Sequence, residues 1–283
     1  MQVRPGMRKL IVLSLILSAC QGQISKDSLV NSNFDGIVGG NDVAVTEATA
    51  KQALNFRVLY DPQITEDERG TITRYKVSQC TASAISPRLI LTAGHCISKR
   101  EDALHRIELK NEDGEAIYYK ASKFLVHPEY ENGNKKYDLA LVLLETALPE
   151  NIEIMKLPAK DVDLGLNSIK AAGFGRMDGR PSFPGNVGIL RTADLNIAKY
   201  SPTEPAFIVD QSQGKGFCQG DSGGPAITTI GSDTMVVGVA SKTFFDDKLP
   251  KEEWNLCIMQ GEYMNVQFHM DWIEATAKIL SQE

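Results

Sequence analysis

Three short segments carry residues that could do nucleophilic chemistry together. Leu91–Cys96 (LTAGHC) holds His95, Tyr137–Leu141 (YDLAL) holds Asp138, and Gly220–Pro225 (GDSGGP) holds Ser222. A serine hydroxyl is a poor nucleophile until a base takes its proton. An imidazole titrates near neutral pH and suits that task. Taken singly, each residue has a plain structural reading. A histidine after a strand is usually a polar surface or core residue. An aspartate before an apolar strand is usually a cap or turn, and a serine among glycines is usually loop. The three types together, in the order His, Asp, Ser, carry the chemical reading.

Such residues need a rigid frame. From residue 37 to about 145, short apolar stretches alternate with turn signals: Asn55–Tyr60, Ala82–Ile85, Leu89–Thr92, Arg106–Leu109, Ala116–Tyr119 and Leu139–Leu144. Residues 146–157 read as a connection. A second set follows: Ser168–Ala172, Val187–Ile197, Ala206–Val209, Pro225–Thr229, Met235–Ala240 and Tyr263–Val266. This spacing reads as all-β, barrel or sandwich. His269–Leu280 places Met270, Ile273, Ala277 and Leu280 at helical spacing and predicts a closing helix. The chain thus divides into two β units of similar size and a C-terminal helix.

The 283 residues are 42% hydrophobic and 23% charged, an ordinary globular mixture that excludes disorder and low complexity. The net charge of −6 presents no basic face to nucleic acid. No apolar run reaches the ~18 residues of a membrane span. A basic start followed by Leu10–Leu17 (LIVLSLIL) and small residues has the order of a secretory signal, so residues 1–19 read as signal peptide. Leu17-Ser-Ala-Cys20 resembles a bacterial lipobox, which implies acyl chains on Cys20, and Gln21 rather than Asp after it implies outer-membrane sorting if the source is Gram-negative. Ordinary signal peptidase cleavage nearby is the alternative. Residues 20–36 read as a polar propeptide or linker. The five cysteines are Cys20, Cys80, Cys96, Cys218 and Cys257. Lipidation of Cys20 leaves four for two bridges, with three pairings open. No CxxC occurs and the four histidines are widely spread, so no metal or cofactor is expected.

The order of LTAGHC, YDLAL and GDSGGP on two β units resembles the trypsin/chymotrypsin family of serine endopeptidases. Ile37-Val-Gly-Gly40 is similar to that family's mature N-terminus, and Gly173-Phe-Gly175 and Asp271-Trp-Ile273 extend the resemblance across residues 37 to about 280. It implies two six-stranded antiparallel β-barrels, about 50–145 and 155–268, with a helix at about 269–281, all in one peptidase domain 37–283. It implies that His95 is the base, that Asp138 orients it, and that Ser222 attacks the peptide carbonyl to form an acyl-enzyme. The backbone N–H groups of Gly220 and Ser222 would form the oxyanion hole. Ser241 resembles the serine that hydrogen-bonds the catalytic aspartate. The bridges implied are Cys80–Cys96 and Cys218–Cys257. The new N-terminus at Ile37 would pair with Asp221 after cleavage between Gly36 and Ile37. Asp35-Gly36 is no tryptic site, so an activating protease of other specificity is implied. His105 and His269 read as structural, and no catalytic role is expected of His127.

The resemblance also locates a substrate pocket at Gly216, Phe217, Ser241, Thr243 and Gly261. Gly216 stands where tryptic members carry an aspartate, so a cationic P1 side chain would lack a buried partner. Phe217 and Thr243 should reduce the volume and Gly261 should keep some open, which predicts a shallow apolar pocket and a small or medium, uncharged P1. Asp246 or Asp247 of the Phe244–Leu256 insertion could reach the pocket mouth. Thr81-Ala82 replaces the usual Gly-Gly after the first cysteine and Gly94 replaces an alanine; neither is expected to touch a catalytic atom. The calcium loop is shortened to a turn at Asn111–Gly114. The function read from the sequence is therefore an exported endopeptidase acting on proteins or peptides. It would be made as a zymogen, sit in the cell envelope through lipid on Cys20 and be released on activation. A catalytically silent binding protein and an esterase-type hydrolase are the alternatives.

Overall fold

The computed structural model describes residues 37–44, 48–67, 70–111, 113–160, 162–183 and 187–282. The signal segment, Cys20 and the residues up to Gly36 lie outside them. The strands are β1 (Asn41–Asp42), β2 (Leu54–Asp67), β3 (Gly70–Ala84), β4 (Leu89–Thr92), β5 (Leu104–Lys110), β6 (Ala116–Val126) and β7 (Ala140–Leu144). After them come β8 (Ser168–Gly173), β9 (Arg191–Lys199), β10 (Ala206–Asp210), β11 (Pro225–Ile230), β12 (Asp233–Phe244) and β13 (Gln260–Asn265). The α-helices are α1 (Pro128–Glu131) and α2 (Met270–Ser281).

The first barrel closes in the order β2-β3-β4-β7-β6-β5, antiparallel throughout. Closure leaves no sheet edge to manage. The unbroken apolar runs LILT and ALVLL become the fully buried strands β4 and β7, side by side. Strands β9-β10-β13-β12-β11-β8 form a second ring, closed by the β8–β9 pairing, with β1 added on β9. Phe207 and Tyr263 stack inside it at 5.4 Å, with Ile37 and Phe217 in the same buried cluster. The expected all-β pair of six-stranded barrels with a closing helix is the fold observed.

Helix α2 buries Met270, Ile273, Thr276 and Leu280, one stripe of an amphipathic helix. Met270, Ile273 and Leu280 join a buried apolar cluster that runs from the first barrel into the second. Its entry is an aromatic knot: His127 lies 4.8 Å from both Tyr137 and Trp272 and 5.6 Å from His269. No helix among the described residues is long and apolar enough to cross a membrane.

Strands β2 and β3 are longer than the sequence suggests. β2 pairs with β5 only over Asn55–Leu59, and β3 with β4 only over Ser83–Ala84. Beyond Tyr60 and Lys76 the two run on alone as a two-stranded ribbon. A bulge at Asp61, with φ of 54°, marks where the ribbon leaves the barrel. There the Asp61 N–H donates to Asp102 (2.8 Å) and its carboxylate pairs with Lys76 (2.6 Å).

Candidate active site

The chemistry-bearing residues come from both barrels. His95 sits in the 3-10 turn that follows β4, and Asp138 stands two residues before β7, the partner strand of β4. Their separation in sequence is erased by that one antiparallel pairing. Asp138 Oδ1 accepts the His95 backbone N–H at 2.8 Å, and Oδ2 lies 2.7 Å from His95 Nδ1. Ser241 Oγ, from β12 of the second barrel, donates to the same Oδ2 at 2.6 Å. Asp138 is 2% exposed, whereas about a third of the His95 side chain remains open. Burial raises the Asp138 pKa, but the hydrogen bond and charge of His95 and the Ser241 hydroxyl outweigh it, and the net shift is downward. Gly94 leaves room for this grip, since a methyl there would lie 3.0 Å from Tyr130 and 3.2 Å from Asp138 Oδ1.

Ser222 is carried to the same cleft by a glycine-dependent loop. Gly220 and Gly223 take φ of 96° and 80°, the left-handed region where glycine is at ease. A side chain on Gly223 would overlap Thr92 and the Thr81 carbonyl. The Ser222 carbonyl accepts the Thr81 N–H at 2.8 Å and lies 3.6 Å from Cys96 Sγ, the residue after His95. Gly223 N–H donates to Ala240 at 2.7 Å, which ties the loop to β12 as well. The N–H groups of Gly220 and Ser222 donate to no acceptor among the described residues. Two disulfides frame the site: Cys80–Cys96 holds the histidine turn to β3, and Cys218–Cys257 holds the serine loop to the segment before β13. Cys80, His95 and Cys96 lie together, but with both sulfurs in the disulfide they offer a metal no thiolate.

Asp221, beside the serine, points inward and is fully buried. It accepts N–H bonds from Gly175 (2.7 Å) and Cys218 (2.8 Å). Burial pushes its pKa up to about 7 against those bonds and the positive charge of Arg191. Gly173 and Gly175 are spaces for this carboxylate, since a side chain at either would overlap it. Ile37 is likewise fully buried, and Val38 pairs with Gly216 through bonds of 2.8 and 3.0 Å.

Gly216, Phe217, Thr243 and Gly261 come together around the Gln211 side chain. Thr243 pairs with Gly261 across β12 and β13. The space beside Gly261 is taken by the Phe217 ring and the Gln211 amide oxygen. Phe217 is 2% exposed and sits edge-on to Tyr263 at 4.9 Å. Gln211, absent from the sequence reading, fixes it there. Its Nε2 donates to the Phe217 and Cys257 carbonyls (3.2 and 2.9 Å), and its Oε1 accepts the Phe217 N–H (3.2 Å). A polar side chain wholly inside a core cluster was the signal that could have found it, but that burial is a tertiary property. Asp246 accepts the N–H of Lys248 in its own exposed turn.

Three of the remaining sequence expectations meet the structure as follows. His105 is buried between Phe56 and Phe124, and its Nε2 accepts the Ser98 N–H at 3.0 Å. His269 faces the Pro205 carbonyl at 3.0 Å. Thr81, not expected to touch a catalytic atom, is bonded to the serine loop: the hydroxyl donates to the Gly220 carbonyl at 3.0 Å.

Comparison with known proteins agrees with this geometry. The trypsin family model matches residues 63–267. Trypsin 5G1 of Aedes aegypti is 30% identical over 215 residues, 69% of this chain and 74% of that protein. A trypsin of Xenopus laevis is 27% identical over 52% of this chain and 65% of its own length. A trypsin of Squalus acanthias is 25% identical over 70% of this chain and 85% of its own. The chain belongs to the trypsin family of serine proteases.

Proposed function

We propose that the protein is an exported serine endopeptidase. Ser222 attacks the peptide carbonyl, His95 takes and returns the proton, and Asp138 orients the imidazole and stabilises its charged form. The Gly220 and Ser222 N–H groups stabilise the developing oxyanion. The observation that carries this reading is the unbroken relay Ser241–Asp138–His95, in which the carboxylate is buried and about a third of the imidazole side chain is open to solvent. Substrates are proteins or peptides with an uncharged P1 residue. Gly216 offers no carboxylate to a cation, and the Phe217 ring beside Gly261 limits size to small side chains. The test is labelling with a serine-directed fluorophosphonate, followed by cleavage of a peptide library. Ser222→Ala should take no label and lose about 10⁶ in kcat. A Ser222→Ala protein that retains turnover overturns the assignment. The filled pocket is also what a catalytically silent binding protein would carry, and absence of label on the wild type would favour that reading.

The activity is held latent until the chain is cut between Gly36 and Ile37. The support is the burial of both Ile37 and Asp221. An ionised Asp221 without a cation partner costs roughly 3–5 kcal/mol, which the Ile37 ammonium would offset. The precursor is anchored through lipid on Cys20 in a bacterial outer membrane, and cleavage releases a soluble enzyme. Fractionation with N-terminal sequencing tests this. An active species that starts at Cys20, or one that starts at Ile37 and stays with membranes, overturns it.

A further inference from the structure

Thr81 stands where the family's sequence pattern has glycine, and it is fully buried on β3. Its backbone N–H donates to the Ser222 carbonyl at 2.8 Å. Its hydroxyl donates to the Gly220 carbonyl at 3.0 Å and accepts the Phe174 N–H at 3.1 Å. Its own carbonyl accepts the Thr92 hydroxyl at 2.9 Å. One side chain therefore joins the first barrel, the Gly173–Gly175 turn and the serine loop. Gly220 and Ser222, whose carbonyls it holds, have N–H groups that donate to no acceptor among the described residues.

We propose that Thr81 is a positioning residue for the oxyanion donors; the proposal rests on the peptidase reading. A hydroxyl has one proton. Because the Phe174 N–H points at the oxygen, that proton is directed to Gly220, and both partners are satisfied at once. At φ of 96° Gly220 has no side chain to resist rotation of its flanking peptides, so bonds to their polar groups must hold them. The peptide before it is held from one side, since the Gln219 carbonyl accepts the Arg176 N–H at 2.8 Å. In a planar trans peptide the carbonyl and N–H point in opposite directions. That bond therefore turns the Gly220 N–H the other way, and the plane that follows is held at both ends, by the Thr81 hydroxyl on the Gly220 carbonyl and by the Asp221 N–H on the Cys218 carbonyl at 3.0 Å. Donors preset before reaction need no reorganisation in the transition state. The Cys80–Cys96 bridge next to Thr81 keeps this brace in register with His95.

The test compares Thr81→Val, which keeps shape and backbone bonds but lacks the hydroxyl, with Thr81→Ser, which keeps it. Active-site concentration is set by fluorophosphonate titration. The readouts are kcat and KM on a peptide amide, and affinity for a peptide aldehyde, whose adduct places an oxygen in the oxyanion position. Thr81→Val should lower kcat and aldehyde affinity by about tenfold or more, with KM changed by less than about twofold, and Thr81→Ser should restore both. If Thr81→Val does not fold, Thr81→Ala supplies the same comparison. Unchanged kcat and aldehyde affinity in the hydroxyl-free variants overturn the proposal, as does a Thr81→Ser enzyme impaired as much as they are. A wild type that neither labels nor turns over overturns the peptidase reading, and the proposal with it.

Discussion

Asp138 grips His95 at two points, with one oxygen on the backbone N–H at 2.8 Å and the other on Nδ1 at 2.7 Å. The backbone bond fixes where the histidine turn sits, and the ring bond fixes which way the imidazole faces. Neither depends on the substrate. The second oxygen is shared with Ser241 from the opposite barrel, so the two halves of the molecule are joined through one carboxylate.

Removing that shared bond is the mildest informative change. A hydrogen bond to a charged group contributes roughly 1.5–3 kcal/mol. Ser241→Ala should therefore lower kcat/KM by about tenfold or more. The fold should be intact, because the β12 backbone pairing is untouched. Steady-state kinetics beside a thermal melt give the answer; full activity would show that Asp138 is held sufficiently by His95 alone.

Phe217 is predicted to set the size of the P1 residue. Phe217→Ala should free the part of the space beside Gly261 that the ring fills, leaving the Gln211 amide in place, and admit Leu or Phe at P1. Burying such a side chain stabilises by roughly 1.5–3 kcal/mol, so kcat/KM for these substrates should rise about tenfold or more. Some loss of thermal stability accompanies the cavity. A library profile that does not move would place P1 recognition elsewhere.

The aromatic knot at the base of α2 predicts an acid-sensitive stability. Burial lowers the pKa of both His127 and His269 to about 4. In the unfolded chain both titrate near ~6.5. As pH falls below ~6.5 the unfolded state binds protons first, so stability is complete above that value and declines toward pH ~4, by on the order of 3 kcal/mol per imidazole. Denaturant melts of Ser222→Ala across this range, which avoid self-digestion, should show the slope. A His269→Phe substitution should flatten it, and an unchanged slope would assign acid sensitivity to other groups.

The two disulfides should differ in their contribution. They close loops of 16 and 39 residues' separation. The chain-entropy model gives about 3 kcal/mol for the shorter and about 4 kcal/mol for the longer. Paired serine substitutions compared by urea unfolding test the order. The reverse order would mean that Cys80–Cys96 acts mainly on the folded state, through the histidine turn.

The catalytic core was legible because its parts are local words: LTAGHC, YDLAL and GDSGGP each place a side chain beside a strand end. The barrels were legible because β4 and β7 are apolar runs that have nowhere to go but inside. Thr81 and Gln211 were not. The Thr81 hydroxyl meets partners 93 and 139 residues away, and nothing near it in sequence reports them. Gln211 belongs to no motif or apolar pattern, yet it is wholly buried and stitches two pocket walls together. The outer part of β2 and β3 was missed for a different reason. Gln63, Thr65, Thr71 and Arg74 are exposed on both faces of a ribbon, so the apolar alternation that marks a half-buried strand is absent there.

That ribbon sets where the chain is free to vary. Its outer residues touch neither core, and its base is pinned separately by Asp61, Lys76 and Asp102. Length can therefore be added or removed beyond the bulge without disturbing the register of the strands that carry the chemistry. It is the natural place to graft an epitope or affinity peptide, and the stretch in which relatives of this protein are expected to diverge most in length.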